Sequence, residues 1–309
     1  MSTQLVESEW IWKDGEFIKW HKATVHILSL AVQFGSSIFE GIRCYRTPKG
    51  PAVFRLGDHM RRLRDSCHIY RIDLPYSQEE LIAGSQAVIA KNELEECYLR
   101  PMVLRGYGAA GMNPVGSPIE TYLVCWPWGT YLGEDALEQG VDVCVSSWHR
   151  PAPNTYPANA KAAGHYTNPQ LMKMEAIANG YTEAIALGPG GVVSEGSGQN
   201  LFLVRNGGLH TPATDGTLLR GITRHSVITL ANELGIPVRE EAIPRETLYT
   251  ADEMFFTGTA SEITPIRSVD RITVGEGRAG PITRRLQQHF MAVVHGEVED
   301  RHRWLTLVR

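Results

Sequence analysis

Lys161 lies in a setting that suits a reactive amine. It is the only Lys, Arg, Asp or Glu between Arg150 and Lys173, and the other residues of 160–164 are alanine and glycine. Such small neighbours would let a bulky planar molecule come close to the amine. Desolvation disfavours an ammonium ion, which makes a lysine a usable nucleophile toward carbonyl carbon. The residue therefore indicates covalent attachment of a carbonyl compound, with a solvated surface lysine as the ordinary alternative.

Glu195 is a second isolated charge. No other carboxylate occurs between Glu183 and Asp215. Pyridoxal phosphate needs a lysine for a Schiff base, an acidic partner for its ring nitrogen and a cradle for its phosphate. Glu195 could supply the acidic partner, and the alternative is a turn residue between two strands.

Two segments could form the phosphate cradle. Gly221-Ile222-Thr223 opens a predicted helix, and the free N–H groups at a helix start bind anions. Thr257–Ser261 follows the apolar run Met254–Phe256, and a glycine-containing turn after a strand can direct amides and hydroxyls at a phosphate or a carboxylate. Either segment alone is a weak signal, because caps and turns use these residue types everywhere.

Together these motifs resemble those of a known family. The chain is similar to the branched-chain amino-acid aminotransferases, members of the fold-type IV pyridoxal-phosphate enzymes, from about Trp10 to Trp304. The resemblance implies an α+β, two-domain, D-amino-acid-aminotransferase-like fold and pyridoxal 5′-phosphate as cofactor. It is carried by Phe39-Glu40-Gly41-Ile42-Arg43, Tyr98-Leu99-Arg100-Pro101, Ala160-Lys161-Ala162, Glu195-x-Ser197-x-x-Asn200-Leu201-Phe202, Leu209-x-Thr211, Leu219-x-Gly221-Ile222-Thr223-Arg224 and Gly258-Thr259-Ala260-Ser261-Glu262-Ile263.

The resemblance implies a set of cofactor-binding residues. Lys161 would form the Schiff base and then move the proton at the substrate Cα, and Glu195 would pair with the ring nitrogen. Tyr166 would hydrogen-bond the ring hydroxyl oxygen, and Leu219 would pack against the ring. The phosphate ligands would be Arg62, Ile222, Thr223 and Thr259, and Gly221 and Gly258 would also bind the cofactor. For Arg62 the alternative is a solvated face of a helix that also carries other basic residues.

The resemblance also implies a substrate pocket with two tasks. Aromatic residues would form an apolar slot for aliphatic side chains, Arg100 would receive the distal carboxylate of glutamate, and the amides of Thr259 and Ala260 would take the α-carboxylate. The slot residues would be Phe39, Tyr98, Trp128 and Tyr131, and Gly41 would also bind substrate. The family often has tyrosine before Gly35, whereas this chain has Phe34, which either lines the pocket or packs in a core. The loop 105–113 departs from the family pattern too.

The function expected from the resemblance is transfer of an amino group between L-leucine, L-isoleucine or L-valine and 2-oxoglutarate. The same fold also serves D-amino-acid or (R)-amine transaminases and aminodeoxychorismate lyases. A cofactor-free Schiff-base aldolase would explain Lys161 but not Glu195 or the two phosphate segments. A binding protein without activity would explain none of them.

Net charge, apolar runs and the numbers of cysteines and histidines limit the partners, location and cofactors that can be expected. A formal net charge of −4 gives no footprint for nucleic acid, and no 18-residue apolar run predicts a membrane span. Five cysteines without a C-x-x-C pair, together with an N-terminus that lacks a leader pattern, predict a cytoplasmic protein. The eleven histidines have no ligand spacing, so no metal is expected. By resemblance, small-molecule amino and 2-oxo acids are the partners, and the site is shared across a homodimer, with hexamers among bacterial relatives.

The order of predicted elements suggests two domains. Residues 1–126 should form a small α+β domain, 127–136 a linker whose Trp128 and Tyr131 either line the site or plug the junction, and 137–309 a strand-rich cofactor domain. Hairpins are predicted at Glu9–Trp20 around Asp14-Gly15 and at Asn200–Thr211 around Asn206-Gly207-Gly208. Helices are predicted from an Asp58 cap, from a Ser77–Glu80 capping box, and near 168–179, 223–234 and 281–294. Further strands are predicted at 98–104, 121–126, 141–146, 183–187, 191–194 and 254–257.

Overall fold

The computed structural model describes residues 5–108, 111–129, 135–214 and 216–308. The strands are β1 (Trp10–Lys13), β2 (Glu16–Lys19), β3 (Ser37–Phe39), β4 (Ile42–Thr47), β5 (Gly50–Phe54), β6 (Cys97–Arg105), β7 (Ile119–Trp126), β8 (Val141–Val145), β9 (Glu183–Leu187), β10 (Val193–Gly196), β11 (Asn200–Arg205), β12 (Gly208–Pro212), β13 (Val238–Glu241), β14 (Glu253–Gly258), β15 (Glu262–Val269), β16 (Ile272–Thr273) and β17 (Leu305–Leu307). The α-helices are α1 (Leu30–Phe34), α2 (Leu56–Ile69), α3 (Gln78–Lys91), α4 (Ala136–Gln139), α5 (Thr167–Ala178), α6 (Ile222–Glu233) and α7 (Pro281–Val294). Short 3-10 turns occupy Trp20–Lys22, Ala163–Tyr166, Pro189–Gly191 and Arg245–Thr250.

The chain divides into two compact units, in keeping with the expected two-domain α+β fold. The first unit comprises Met1–Gly129, Ala160–Gly164 and Ala292–Arg309, and the second comprises Thr130–Asn159 and His165–Met291. This division differs from the expected contiguous domains of 1–126 and 137–309. The segment 160–164 and the C-terminal residues belong to the first unit because Ala162 bridges to Ile38 and β17 pairs with β5.

The first unit is built on a sheet packed against its two long helices, α2 and α3. In its described residues the strand order is β17-β5-β4-β6-β7-β1-β2, with β3 paired to β6. Helices α2 and α3 bury their apolar faces against the sheet. The core between them contains Met60 and Leu63 from α2, Val88 from α3, and Leu99 from β6, and each is fully buried. Burial of side chains of this size contributes about 1.5–3 kcal/mol each.

Local sequence signals set several element boundaries. The β1–β2 hairpin is confirmed, and its turn residues Asp14 and Gly15 both have positive φ, as a type I′ turn requires. The capping box is also confirmed, because Ser77 accepts from the Glu80 N–H and the Glu80 carboxylate accepts from the Ser77 N–H.

The predicted start of α2 at an Asp58 cap is wrong. The helix begins at Leu56, after Arg55 in the left-handed region. Asp58 lies in the first turn and accepts from Arg55 Nε at 2.7 Å. Its acidic side chain is favourable near a helix N-terminus without being the cap.

A larger sheet organises the second unit. In its described residues the strand order is β10-β9-β8-β15-β14-β11-β12-β13, with β16 paired to β15. Most pairs are antiparallel, whereas β8 runs parallel to β9 and β15, and β12 parallel to β13. The hairpin around Asn206-Gly207 is confirmed, since β11 and β12 pair as expected. Phe202 and Phe255 stack on neighbouring strands with centroids 5.2 Å apart.

One strand lies two residues beyond its predicted place. The expected strand 191–194 is β10, Val193–Gly196. Gly190 and Gly191 have φ of 82° and 78°, which a strand does not accommodate, so they form the preceding turn. The shift places Glu195 inside a strand.

The part of the chain that the structure describes was searched for membrane-spanning helices, metal-binding groups and disulfides. None of its helices combines the length and apolar character needed to cross a bilayer. It holds no group of three or more His, Cys, Asp or Glu arranged to bind a metal ion. All five cysteines are free and buried.

Candidate active site

The backbone of Lys161 is held on both sides in the first unit. Its N–H donates to Ser66 Oγ at 3.0 Å, and its carbonyl accepts from the Phe39 N–H at 3.1 Å. Ala162 bridges to Ile38, so the segment lies along β3. The Lys161 Nζ lies 4.9 Å from the centroid of the Phe39 ring. Lys161 is thus a half-buried amine on a fixed backbone beside an aromatic face.

Arg62 pairs with a buried carboxylate. Its Nε donates to Glu40 Oε1 at 2.6 Å and its Nη2 to Glu40 Oε2 at 2.8 Å. His59 Nδ1 lies 2.7 Å from the same Oε2. Burial alone would raise the pKa of the Glu40 carboxyl, but the Arg62 charge and the bonds from Arg62 and His59 outweigh it and hold that pKa well below its usual range. Arg62 is therefore part of an ordered cluster and not of a solvated helical face.

Arg100 lies in an aromatic cage. Its guanidinium carbon is 4.9 Å from the Phe39 ring, 5.2 Å from Tyr98 and 5.8 Å from Trp126. Its Nη2 is 3.5 Å from the Tyr98 hydroxyl, at the limit of a hydrogen bond. Its Nε is buried and finds no hydrogen-bond partner among the described residues. A buried charged donor in this state suits an incoming anion.

Three of the predicted slot residues, Phe39, Tyr98 and Trp128, lie close together in the first unit. The Trp128 ring packs on the Tyr98 ring with centroids 4.8 Å apart. The Phe39 ring contacts the Arg100 guanidinium. At Gly41 a side chain could not be accommodated, because an added Cβ would lie 1.9 Å from the Tyr98 hydroxyl. Glycine is therefore required there for the Tyr98 position.

The structure does not place the other two residues predicted for the slot, Phe34 and Tyr131, among these contacts. Phe34 ends α1 and is 52% exposed, so it does not pack in the core of the first unit. Its place in the pocket stays a prediction. Tyr131 lies outside the described residues.

Glu195 is a buried strand residue that is paired within the second unit. Arg150 Nη2 lies 3.1 Å from its Oε1, while Asn200 Nδ2 at 3.1 Å and the Leu219 N–H at 3.2 Å donate to its Oε2. The alternative of a turn residue is therefore wrong. Because an unpaired buried carboxylate is costly, Arg150 stabilises Glu195 in this position.

The N-terminus of α6 packs tightly against Asn200. Gly221 is the N-cap residue, and a Cβ there would lie 1.9 Å from Asn200 Oδ1. Asn200 Nδ2 also donates to the Leu219 carbonyl at 2.9 Å. Thr223 is buried in the first turn, where backbone N–H groups lack intrahelical acceptors. The predicted phosphate segment is thus joined to Glu195 through one amide side chain.

The turn after β14 lies beside the same amide. Asn200 and Thr257 are cross-strand partners, so their side chains share a face of the sheet. Thr257 Oγ1 and Ser261 Oγ are buried and have no hydrogen-bond partner among the described residues. Thr259 and Ala260 are half-buried between them. Both predicted phosphate segments therefore converge on Asn200 in the second unit.

The two remaining predicted cofactor residues, Tyr166 and Leu219, also belong to the second unit. Tyr166 is half-buried where the turn Ala163–Tyr166 meets α5. Leu219 contacts Glu195 and Asn200 through its backbone.

Several contacting residues were not predicted from the sequence. Glu40 and Asn200 lie within recognised motifs but had no assigned role, and Ser66 and Trp126 carried no local signal. Arg150 stands 45 positions before its partner, so spacing could not reveal the pair. A search for lone charges finds Lys161 and Glu195, but it does not find the groups that hold them.

Comparison with known proteins gives a consistent picture. A family model for class IV amino-transferases matches residues 37–269. The branched-chain-amino-acid aminotransferase of Salmonella typhimurium is 51% identical over 300 residues, with 97% of each chain covered. The structure of the branched-chain amino acid aminotransferase of Escherichia coli has a TM-score of 0.96 and 50% identity, covering 98% of this chain and 100% of that one. The structure of the branched-chain amino acid aminotransferase from Thermobaculum terrenum, solved in its PLP-form, has a TM-score of 0.92 and 35% identity, covering 98% of this chain and 99% of that one.

Proposed function

Because the chain belongs to the class IV aminotransferase family, we propose that it moves an amino group between L-branched-chain amino acids and 2-oxoglutarate with pyridoxal 5′-phosphate as cofactor. The observation that carries the proposal is Arg100, a caged guanidinium whose buried Nε has no partner among the described residues. The aromatic rings around Arg100 form an apolar wall that suits the side chain of leucine. The guanidinium itself is a charged donor that suits the distal carboxylate of glutamate.

The residues present fit pyridoxal phosphate. The second unit offers a buried carboxylate, Glu195, for a ring nitrogen. The buried hydroxyls of Thr257 and Ser261, without partners in the described chain, can donate to phosphate oxygens. Gly221, Ile222 and Thr223 open a helix, where an anion is favoured.

Each of these residues then has a proposed task. When bound, pyridoxal phosphate accepts electrons from the substrate Cα and so makes the Cα proton removable. Lys161 would hold the cofactor and move that proton. Glu195, with its charge compensated by Arg150 at 3.1 Å, would face the ring nitrogen. The remaining proposed cofactor contacts are Arg62, Tyr166, Leu219, Gly258 and Thr259.

The substrate residues divide by chemistry. Phe39, Tyr98 and Trp128 would contact an aliphatic side chain, with Gly41 leaving room for Tyr98. Arg100 would bind the distal carboxylate of glutamate or 2-oxoglutarate. The amides of Thr259 and Ala260 would take the α-carboxylate, and Tyr131 and Phe34 would complete the slot.

We also propose that the protein works as a homodimer or a larger assembly in the cytoplasm. Ile27, Leu28, Val32 and Phe34 are apolar and about half exposed or more, and an exposed apolar patch of this kind is typical of an interface. The five buried free thiols fit a reducing compartment. Light scattering of the purified protein tests the assembly, and a monomer would contradict it.

A turnover assay tests the activity. With L-leucine and 2-oxoglutarate the protein should produce glutamate and 4-methyl-2-oxopentanoate in equal amounts. Lys161→Ala should remove this activity, since positioned proton transfer alone contributes roughly 10²–10⁴-fold and covalent attachment is lost as well. Lys49→Ala, which changes an exposed lysine, is the matched control. Release of pyruvate from aminodeoxychorismate, without any amino acceptor, would instead indicate a lyase.

A further inference from the structure

One face of α2 carries three polar side chains. His59, Arg62 and Ser66 recur at intervals of three and four residues, so they lie on the same side of the helix. His59 and Arg62 both contact Glu40, and Ser66 accepts from the Lys161 N–H. The adjoining strip of α2 packs in the core through residues such as Met60 and Leu63. The helix therefore holds Arg62 and the Lys161 backbone from one rigid element.

Glu40 is the least accessible member of this cluster. It follows β3, its N–H donates to the Pro101 carbonyl at 2.9 Å, and its side chain is 0% exposed. Its Oε2 accepts from Arg62, from His59 and from the Gly41 N–H at 3.3 Å, while its Oε1 accepts from Arg62. A buried carboxylate bound in this way has one stable orientation.

The pairing fixes the direction of Arg62. Glu40 takes the edge of the guanidinium that carries Nε and Nη2, with distances of 2.6 and 2.8 Å. The group is planar, so its Nη1 edge must face away from Glu40. The Arg62 side chain is 15% exposed, whereas its partner is fully enclosed. The carboxylate thus sets the direction of the whole guanidinium group.

His59 supports the carboxylate without adding charge. Burial lowers the pKa of the His59 imidazole, and the nearby Arg62 and Lys161 charges lower it further, against the opposing effect of Glu40. An ionised carboxylate can only accept, so the neutral ring must donate through Nδ1.

We propose that Glu40 is the positioning residue that orients Arg62 to bind the cofactor's phosphate, with His59 holding Glu40 from its other side. This inference rests on the proposed function only in assuming that Arg62 meets a phosphate. Two effects of Glu40 oppose each other. Its negative charge repels a phosphate, whereas its hydrogen bonds place the guanidinium. Removal of the charge would strengthen phosphate binding if repulsion prevailed and weaken it if placement prevailed.

The test compares two ligands that differ only in the phosphate. Cofactor-free protein is titrated with pyridoxal 5′-phosphate and with pyridoxal, and binding is followed by absorbance. In Glu40→Gln, which nearly preserves shape, affinity for pyridoxal 5′-phosphate should fall at least tenfold while affinity for pyridoxal stays within twofold. Arg62→Ala should show the same selective loss, and the double variant should lose no more than Arg62→Ala alone.

The controls separate placement from stability. Glu253→Gln changes another buried carboxylate, which accepts from the Thr283 N–H at 2.7 Å, and it should lower the melting temperature without changing the ratio of the two affinities. If Glu40→Gln does not fold, His59→Asn replaces it, with the same selective loss expected in smaller measure. An unchanged or higher affinity for pyridoxal 5′-phosphate, or equal losses for both ligands, would overturn the proposal. Failure of the parent protein to transaminate L-leucine would refute the function while leaving this comparison intact.

Discussion

Arg100 and Arg62 show two ways in which a charged side chain can be held at a site. Arg62 is paired with Glu40 inside the protein, so its direction is fixed before any ligand arrives. Arg100 is surrounded by the rings of Phe39, Tyr98 and Trp126, and its buried Nε lacks a partner among the described residues. Aromatic faces tolerate a cation and also accept an aliphatic side chain. At the residue scale, the arrangement around Arg100 explains how one pocket can serve two unlike substrates.

Replacement of this arginine should affect the two substrate classes differently. In Arg100→Ala, the distal carboxylate of glutamate or 2-oxoglutarate would be buried without its charged partner, which costs about 3–5 kcal/mol. The kcat/KM for these acids should therefore fall by at least a hundredfold, while kcat/KM for leucine in the half-reaction falls less than fivefold. Arg46→Ala, which removes an exposed arginine paired with Glu95 at 2.7 Å, should change neither. Equal losses for both classes would mean that Arg100 serves the α-carboxylate or the fold.

At the scale of elements, Asn200 joins three parts of the second unit. It begins β11, contacts Glu195 of β10, and lies against Gly221 at the start of α6. Its cross-strand neighbour is Thr257, at the end of β14. The register of the sheet and the closeness of the helix therefore bring the acid and both predicted phosphate segments to one place.

A methyl group at the start of α6 should disturb this junction. In Gly221→Ala the new Cβ would lie 1.9 Å from Asn200 Oδ1, so the amide must move and its bonds to Glu195 and Leu219 would weaken. Overpacking of this kind costs about 1–3 kcal/mol. We expect a lower melting temperature and an affinity for pyridoxal 5′-phosphate reduced at least tenfold. Gly198→Ala is the matched control, since a Cβ there meets nothing within 4 Å. If both variants bind the cofactor with the affinity of the parent protein, the close contact between Gly221 and Asn200 is not needed for cofactor binding.

Elements that depend on a few adjacent residues could be predicted from the sequence, whereas those that depend on distant residues could not. Hairpins and the capping box were correct because a few adjacent residues determine them: positive φ at Asp14-Gly15 and reciprocal bonds between Ser77 and Glu80. The start of α2 was missed because Arg55 takes a left-handed conformation that its residue type does not favour. The segment 160–164 joins the first unit through a bridge to a strand more than 120 residues earlier, which no local pattern records.

Among the residues of the candidate site, too, some can be recognised in the sequence and others only in the folded structure. Lys161 and Glu195 could be singled out because an isolated charge among uncharged neighbours is visible in the sequence. Their partners were not, because Arg150, Glu40 and Ser66 become neighbours only when distant segments pair.

At the scale of the whole molecule, the buried cluster around Glu40 should make stability depend on pH. Burial lowers the pKa of His59, so the unfolded chain, where histidine titrates near ~6.5, binds more protons at this residue than the folded protein. Stability from this group is present above about pH 6.5 and is lost as the pH falls toward the folded value. The lowered pKa of Glu40 acts in the same direction below about pH 4.3.

Denaturant unfolding measures this effect. Between pH 7 and pH 5 the urea midpoint of the parent should decrease, and in His59→Asn the decrease should be clearly shallower. His302→Asn, which removes an exposed histidine, should retain the slope of the parent. A His59→Asn variant that loses stability as steeply as the parent would place the acid sensitivity elsewhere.

We propose that one site accepts L-branched-chain amino acids and L-glutamate in turn. A spectroscopic half-reaction tests it most directly: the protein, loaded with pyridoxal 5′-phosphate, is mixed with one amino acid at a time and no acceptor. We predict that L-leucine, L-isoleucine, L-valine and L-glutamate each remove the yellow absorption and release the matching 2-oxo acid. D-leucine, D-alanine and (R)-1-phenylethylamine should leave the absorption unchanged over the same time. Loss of the absorption with the D-amino acids or the amine, but not with L-leucine, would show that the protein is a D-amino-acid or (R)-amine transaminase instead.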